Sequence, residues 1–358
     1  MLKGSETPES TRYIKEEAFA ALDLDFRPNS RAIRVDRAAR NVTLEGGETL
    51  PYDALVFATG GRARRMQVPG VGDARIHALR SLDDALAIKA ALETARRVAV
   101  VGGGWIGLEI AATARALGLA VTVVEMADRL AGRGAHPILS DWLADLHRQQ
   151  GVTLKLGVGL TAYEPGPAGV TLKLSDDSAL TADLVIEGIG LIPEDDLAHE
   201  AGLDCPGGIA TDACGRTADP AVFACGDVAL FTLPGETRPL RLESWKNASD
   251  QGALVAKAIL GKDAEYTAIP WFWSDQYGRN IQILGLIDRA PGDPIRREAA
   301  NGGFTWLWEG EGRLKGAVAV DQPMDIKVAQ RIMERGVPVT RADLADSAIP
   351  FKSLMNPK

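Results

Sequence analysis

The chain has 358 residues, 40 of them basic and 48 acidic, and a formal net charge of −8. That length suits two or three domains rather than one, and the acidic balance argues against nucleic acid as the main partner. Cys205, Cys214 and Cys225 show no CxxC spacing, which makes a disulfide framework unexpected and a reducing cytoplasm the natural location. No apolar run reaches membrane-span length and the first residues carry no apolar signal core, so neither membrane insertion nor secretion is expected.

In chain order, a short helix is expected between Glu6 and Ala21. Ala32–Asp36 and Asn41–Glu45 then alternate apolar and polar and predict a hairpin or meander. The apolar run 54–58, ending in Thr59-Gly60-Gly61, predicts a strand buried on both faces of a parallel sheet. Helical periodicity covers 81–96. The apolar run 97–101 leads into Gly102-Gly103-Gly104-Trp105-Ile106-Gly107 and a helix to about Leu117, and 119–125 is a second apolar strand. A helix is expected over 139–150, with strands at 152–156, 170–174 and 184–189. Another strand is expected at 221–225, ending in Gly226-Asp227, and a helix at 250–260. From about Tyr266 the pattern turns to antiparallel strands at 271–273, 280–286, 303–308 and 316–320, closed by a helix at 324–335.

Gly102, Gly104 and Gly107 form G-x-G-x-x-G inside a complete strand–loop–helix–strand unit. The first glycine permits the tight turn, the second lets backbone approach a pyrophosphate, and the third packs helix on strand. The free N–H groups and positive end of the helix then face the phosphates. Glu125 ends the next strand at about the ~20-residue spacing expected for a ribose 2′-OH acceptor. A carboxylate there accepts from NAD and repels the 2′-phosphate of NADP. The alternative is a glycine-rich turn with no nucleotide. Glu109, further along the helix, reads as a site residue or as a solvated carboxylate near the helix start.

The stretches Asp53-Ala-Leu-Val-Phe-Ala-Thr-Gly60, EGIGLIPED at 187–195, VFACGDVA at 222–229, LESWKNASDQG at 242–252 and PWFWSDQYG at 270–278 accompany that loop. Together they resemble the FAD-dependent NADH:ferredoxin reductases of aromatic-ring dioxygenases and the related putidaredoxin and rubredoxin reductases, over residues 2–355. The resemblance implies an α/β fold with two Rossmann-like FAD/NAD(P)-binding domains and a C-terminal α+β reductase domain. The expected boundaries are 1–80 and 206–262 for FAD, 81–205 for NADH, and 263–358 for the reductase domain. It implies FAD and NADH as cofactors and a small iron–sulphur protein, a ferredoxin or rubredoxin, as partner. A homodimer is compatible with it.

Residue by residue, the resemblance puts Gly226 and Asp227 at the flavin ribityl and pyrophosphate, and Thr59 and Gly60 near the FAD phosphates or at the crossover between domains. Trp245 falls at the pyrimidine end of the flavin, and Trp271 and Trp273 on the side facing the iron–sulphur partner, where either could instead be plain core. Glu109 and Gly190 match positions near the nicotinamide, Arg133 one beside the adenosine ribose, and Ile106 lies within the loop. Arg62, Arg64 and Arg65 meet FAD phosphates, an acidic partner, or only solvent. No metal or catalytic role falls to His77, His136, His147 or His199, and Cys225 reads as a small buried residue.

Family members begin with their own strand, G-x-G-x-x-G and helix for the ADP half of FAD. The present sequence starts at a stretch resembling the segment just after that unit. The expectation is an incomplete FAD domain and weak FAD binding by residues 1–358. Two other functions are weighed: a flavin-free NADH-binding protein, and a pyridine nucleotide-disulfide reductase, for which no close cysteine pair is visible.

Overall fold

The computed structural model describes residues 2, 6–15, 18–262 and 265–355. The chain divides into two compact units, one built chiefly from 3–62 and 191–268 and the other from 63–190 and 269–358.

In the second unit, five parallel strands lie in the order Ile76–Ala78, Leu184–Glu187, Arg97–Val101, Ala120–Glu125, Thr153–Leu156. Val98–Val101 and all of Leu184–Glu187 are buried, as expected for strands covered on both faces. Helix Leu82–Thr94 starts at a reciprocal cap in which Ser81 and Asp84 each accept from the other's backbone N–H. Helices Trp105–Ala116 and Pro137–Gln149 complete the crossovers. An antiparallel meander of Leu160–Gly166, Gly169–Leu174 and Ala179–Ala182 precedes the strand Leu184–Glu187.

The same unit holds a five-stranded antiparallel sheet in the order Trp271–Gln276, Arg279–Leu284, Arg313–Val320, Phe304–Gly310, Ile295–Glu298. Its two faces serve two cores. Ile281, Ile283, Trp306, Trp308 and Val318 join the cluster that contains Val98 and Val123 of the parallel sheet and Leu108 of helix Trp105–Ala116. Leu284, Leu307, Ala317 and Ala319 pack instead with Ile326, Ala329 and Ile332 of the helix Pro323–Glu334. Period-two alternation along each strand makes this division possible.

The first unit is assembled from smaller pieces. Ala32–Asp36, Asn41–Leu44 and Thr49–Pro51 form an antiparallel meander. Leu55–Phe57 pairs in parallel with Val222–Ala224, and Gly61–Ala63 lies beside Leu191–Pro193. A core of Val35, Phe57, Ala198, Leu203, Ile209 and Val222 sits among them, and Arg37 reaches Asp219 at 2.9 Å across 182 residues of sequence.

Several sequence expectations are corrected. The run 54–58 does not form a strand buried on both faces among the described residues: only Phe57 of Leu55–Phe57 is buried, and Val56 is 37% exposed. Among the described residues of the stretch 6–21 there are two short turns of helix, Glu9–Thr11 and Ala18–Ala21, separated by the non-helical residues 12–15, rather than one helix. The helix expected at 250–260 starts earlier, at Trp245, because the Ser244 hydroxyl accepts from Asn247 N–H. The strand expected over 184–189 stops at Glu187, where Gly188 begins the turn that meets the glycine loop at Gly102 and Gly107.

Candidate functional site

The strand Arg97–Val101 delivers the chain into Gly102, whose φ of +104° is the left-handed turn an L side chain rarely adopts. A Cβ on Gly107 would overlap the carbonyl oxygen of Gly102, so helix Trp105–Ala116 can sit this close to the strand only with glycine there. Gly104 differs: a Cβ there would find its nearest neighbour, the Gly188 oxygen, at an ordinary 3.7 Å. Packing within the protein does not demand glycine at 104, and the space beside it is open to a close approach. No side chain caps the helix that Gly104 opens, so first-turn N–H groups face outward for an anion.

Both oxygens of Glu125 accept backbone hydrogen bonds, from Gly103 N–H at 2.6 Å and Ala127 N–H at 2.7 Å. Each carboxylate oxygen keeps a further lone pair for a hydroxyl donor. Arg129 organises the loop that follows, donating to the carbonyls of Ala135 and Gly132 and to the Ser140 hydroxyl. Ala131 N–H donates to the Gly103 carbonyl at 2.8 Å and docks that loop on the glycine turn. Arg133, exposed on the same loop, lies directly against Gly190. Ile106 is 51% exposed on the first turn of the helix. Glu109 accepts from the Ser274 hydroxyl at 2.5 Å. The open Gly104 face, the uncapped helix end and the Glu125 carboxylate fit a dinucleotide with a free ribose 2′-OH.

In the first unit, the Thr59 hydroxyl donates to the Glu194 carbonyl at 2.6 Å, and Glu194 N–H donates to Gly60. These residues therefore stitch the crossover segment. Arg62 is engaged by the Glu194 carboxylate at 2.8 Å and Asp196 at 3.5 Å. Gly226 N–H donates to the buried Gln251 at 2.7 Å, which ties the turn after strand Val222–Ala224 to helix Trp245–Ile259. Asp227, a half-buried residue, lies on that turn, and its carbonyl takes a hydrogen bond from Arg241. Trp245, at the start of the helix, is 57% exposed. A half-buried acidic residue on the turn and an exposed aromatic ring at the start of the helix tied to that turn fit the polyol and ring of a flavin. The described residues hold one strand–glycine loop–helix unit, that of Gly102–Gly107. Cys225 is buried, which pushes its thiol pKa up.

Trp271 and Trp273 stack with centroids 5.2 Å apart. Trp271 packs on the C-terminal core and donates to Gln282, while Trp273 is 40% exposed. Sequence reasoning missed a buried cluster at the end of strand Leu184–Glu187. The fully buried Glu187 carboxylate accepts from Arg65 at 2.5 Å and from the Tyr163 hydroxyl at 2.8 Å. Burial first, then the Glu187 charge, push the tyrosine pKa well above the usual phenol range. Arg65 is thereby committed to structure. A charged residue closing the apolar run Leu184–Ile186 was the available signal.

The family model described as pyridine nucleotide-disulphide oxidoreductase matches residues 2–252, and a reductase C-terminal model matches 271–355. The ferredoxin–NAD(+) reductase component of the anthranilate 1,2-dioxygenase system of Burkholderia cepacia is 38% identical, covering 97% of this chain and 86% of its own length. Putidaredoxin reductase of Pseudomonas putida is 35% identical, with 99% and 85% covered. Among solved structures, a ferredoxin reductase from Rhodopseudomonas palustris superposes with a TM-score of 0.93 at 34% identity, covering 98% of this chain and 87% of that one. The covalent putidaredoxin reductase–putidaredoxin complex gives the same TM-score and identity, with 99% and 86% covered. The chain belongs to the pyridine nucleotide-disulphide oxidoreductase family and, within it, to the flavoprotein ferredoxin reductases that carry the reductase-type C-terminal domain.

Proposed function

We propose that this protein takes hydride from NADH and passes single electrons to a small iron–sulphur protein of ferredoxin type, as the reductase of an oxygenase system. The observation that carries the reading is the open glycine face at Gly104 with Glu125 behind it, followed in the same chain by the reductase-type C-terminal sheet. FAD, when bound, supplies the step from two-electron to one-electron chemistry. The protein's residues bind, orient and exclude. Gly102, Gly104, Ile106, Gly107, Glu125, Arg133 and Gly190 are assigned to NADH, with Glu109 at its nicotinamide end. Thr59, Gly60, Arg62, Gly226, Asp227 and Trp245 are assigned to FAD. Trp271 and Trp273 are assigned to the face that meets the iron–sulphur partner.

The corresponding assignment of segments is 1–80 with 206–262 for FAD, 81–205 for NADH and 263–358 for the reductase domain. No described helix is long and apolar enough to cross a membrane, in keeping with a proposed place in the cytoplasm beside its electron acceptor.

The test is anaerobic titration of flavin-loaded protein with NADH, followed by addition of an oxidised [2Fe–2S] ferredoxin. Loss of the flavin band near ~450 nm and then reduction of the ferredoxin are expected. Protein that carries flavin but is not bleached by NADH, or that bleaches but reduces no ferredoxin, would refute the reading.

A further inference from the structure

The strand Trp271–Gln276 sends alternate residues to opposite faces. Trp273 is exposed, whereas Ser274 and Gln276 are fully or almost fully buried and Phe272 meets the ring of Trp105 on the nucleotide helix, centroids 5.1 Å apart. The buried face carries a continuous chain of polar contacts. Ser274 Oγ lies 2.5 Å from Glu109 Oε1, Gln276 Nε2 lies 3.0 Å from Ser274 Oγ, His147 Nε2 lies 2.8 Å from Gln276 Oε1, and the Tyr277 hydroxyl lies 2.9 Å from His147 Nδ1.

The chemistry of its end fixes the direction of the whole chain. A carboxylate only accepts, so Ser274 donates to Glu109. The serine oxygen is then left to accept, which requires the amide N–H of Gln276. The amide oxygen must face His147, so Nε2 carries the proton and Nδ1 accepts from Tyr277. A flipped amide would set two acceptors against each other at Ser274. His147 is completely buried, and burial lowers its pKa against a smaller opposing effect of Gln276, which agrees with a neutral ring. Every donor thus points toward Glu109, and donors so aligned polarise one another along the chain. A glutamine amide does not hand protons on, so the chain polarises and orients rather than conducts.

Such a chain is an expensive way to fill space. Its buried polar groups must all be satisfied, and an apolar face would pack on the nucleotide helix at no such cost. It terminates on a half-buried carboxylate just beyond the dinucleotide loop. We infer that Ser274, Gln276 and His147 are positioning residues for Glu109, holding its carboxylate in one rotamer to receive the carboxamide N–H₂ of the reduced nicotinamide. This rests on the assignment of Glu109 to the nicotinamide end of NADH. It makes the strand Trp271–Gln276 a specificity element, with NADH recognition on one face and the exposed tryptophan on the other.

The experiment measures dissociation constants on the full chain, for NADH by its fluorescence and for ADP-ribose by competition, so that no flavin turnover enters. Ser274→Ala should weaken NADH by about tenfold, the scale of one hydrogen bond to a charged group, and leave ADP-ribose unchanged. Gln276→Glu keeps the side-chain shape but draws the serine hydroxyl away from Glu109, and should reproduce that split. Glu109→Ala should show the same loss, with no further loss on adding Ser274→Ala. If Glu109→Ala weakens NADH and Ser274→Ala does not, the positioning role is wrong while the Glu109 assignment stands. If Glu109→Ala leaves NADH unchanged, that assignment falls and the inference with it. Equal losses of ADP-ribose and NADH in Ser274→Ala would mark a structural disturbance and overturn the inference as well.

Discussion

The two candidate cofactor regions are built in opposite ways. The loop at Gly102–Gly107 is held by a parallel sheet whose strand Leu184–Glu187 is buried throughout, and Gly102 and Gly107 are fixed by contact with the backbone of Gly188 and Gly102. The residues at Thr59, Asp227 and Trp245 stand on short pieces, a two-stranded parallel pair and one helix end, tied by single hydrogen bonds such as Gly226 to Gln251. In the first region, steric exclusion determines which residue can stand where. In the second, polar contacts do. The lesson is that a change at Gly102 or Gly107 should be all-or-none, and a change at a polar contact, or at Gly104 where a Cβ fits, graded.

The largest effect should come from Gly107→Val. Its Cβ would overlap the Gly102 carbonyl, and backbone cannot give way as a side chain does. NADH affinity should fall by more than about a hundredfold, ~3 kcal/mol, with a lowered melting temperature. A variant that folds and binds NADH normally would break the comparison. Gly104→Ala sharpens it, because a Cβ fits there without strain. The melting temperature should hold while NADH weakens about tenfold, as calorimetry with ligand titration would show.

Glu125→Ala removes the acceptor for the ribose hydroxyl and two loop hydrogen bonds. The preference for NADH over NADPH should shrink by about tenfold, the scale of one charge-assisted hydrogen bond, measured as the ratio of kcat/KM values. A ratio equal to that of the unaltered protein would remove Glu125 from the specificity account. In the polar region, Asp227→Ala should weaken flavin retention by about tenfold and leave NADH binding intact, read by equilibrium dialysis against FAD. An equal loss of both ligands would show that the two regions are not separable in this way.

The smallest effect concerns pH. Asp183 accepts from the N–H groups of Arg96 and Arg97 and from the Arg97 guanidinium, at the root of the nucleotide strand. The Arg97 side chain is the main cause that holds its pKa down to about 2, with the backbone donors adding to it against burial. The folded pKa lies below the unfolded one, so the stabilisation is fully present above about pH 4 and is lost as pH falls toward 2. Asp183→Asn should melt a few degrees lower at neutral pH, with the difference disappearing across that window. A constant difference down to pH 2 would assign the effect to something other than the carboxylate charge.

What the sequence alone determined is local. The strand, glycine loop, helix and acidic strand end around Gly102–Gly107 and Glu125 are contiguous, and the demand for glycine at 102 and 107 follows from backbone sterics. Four of the five strands of the antiparallel sheet after Pro270 were legible for the same reason, since alternation is a property of neighbours, while the short edge strand Ile295–Glu298 was not. Only the tertiary structure decided which polar residues meet. Ser274 reaches Glu109 across 165 positions, His147 reaches Gln276 across 129, and Arg65 reaches Glu187 across 122. No local pattern encodes such pairs. Strand order and sheet packing bring them together, and burial then requires that each donor find an acceptor. The same cause explains why His147 looked idle in the sequence: its function is defined by the groups that surround it after folding.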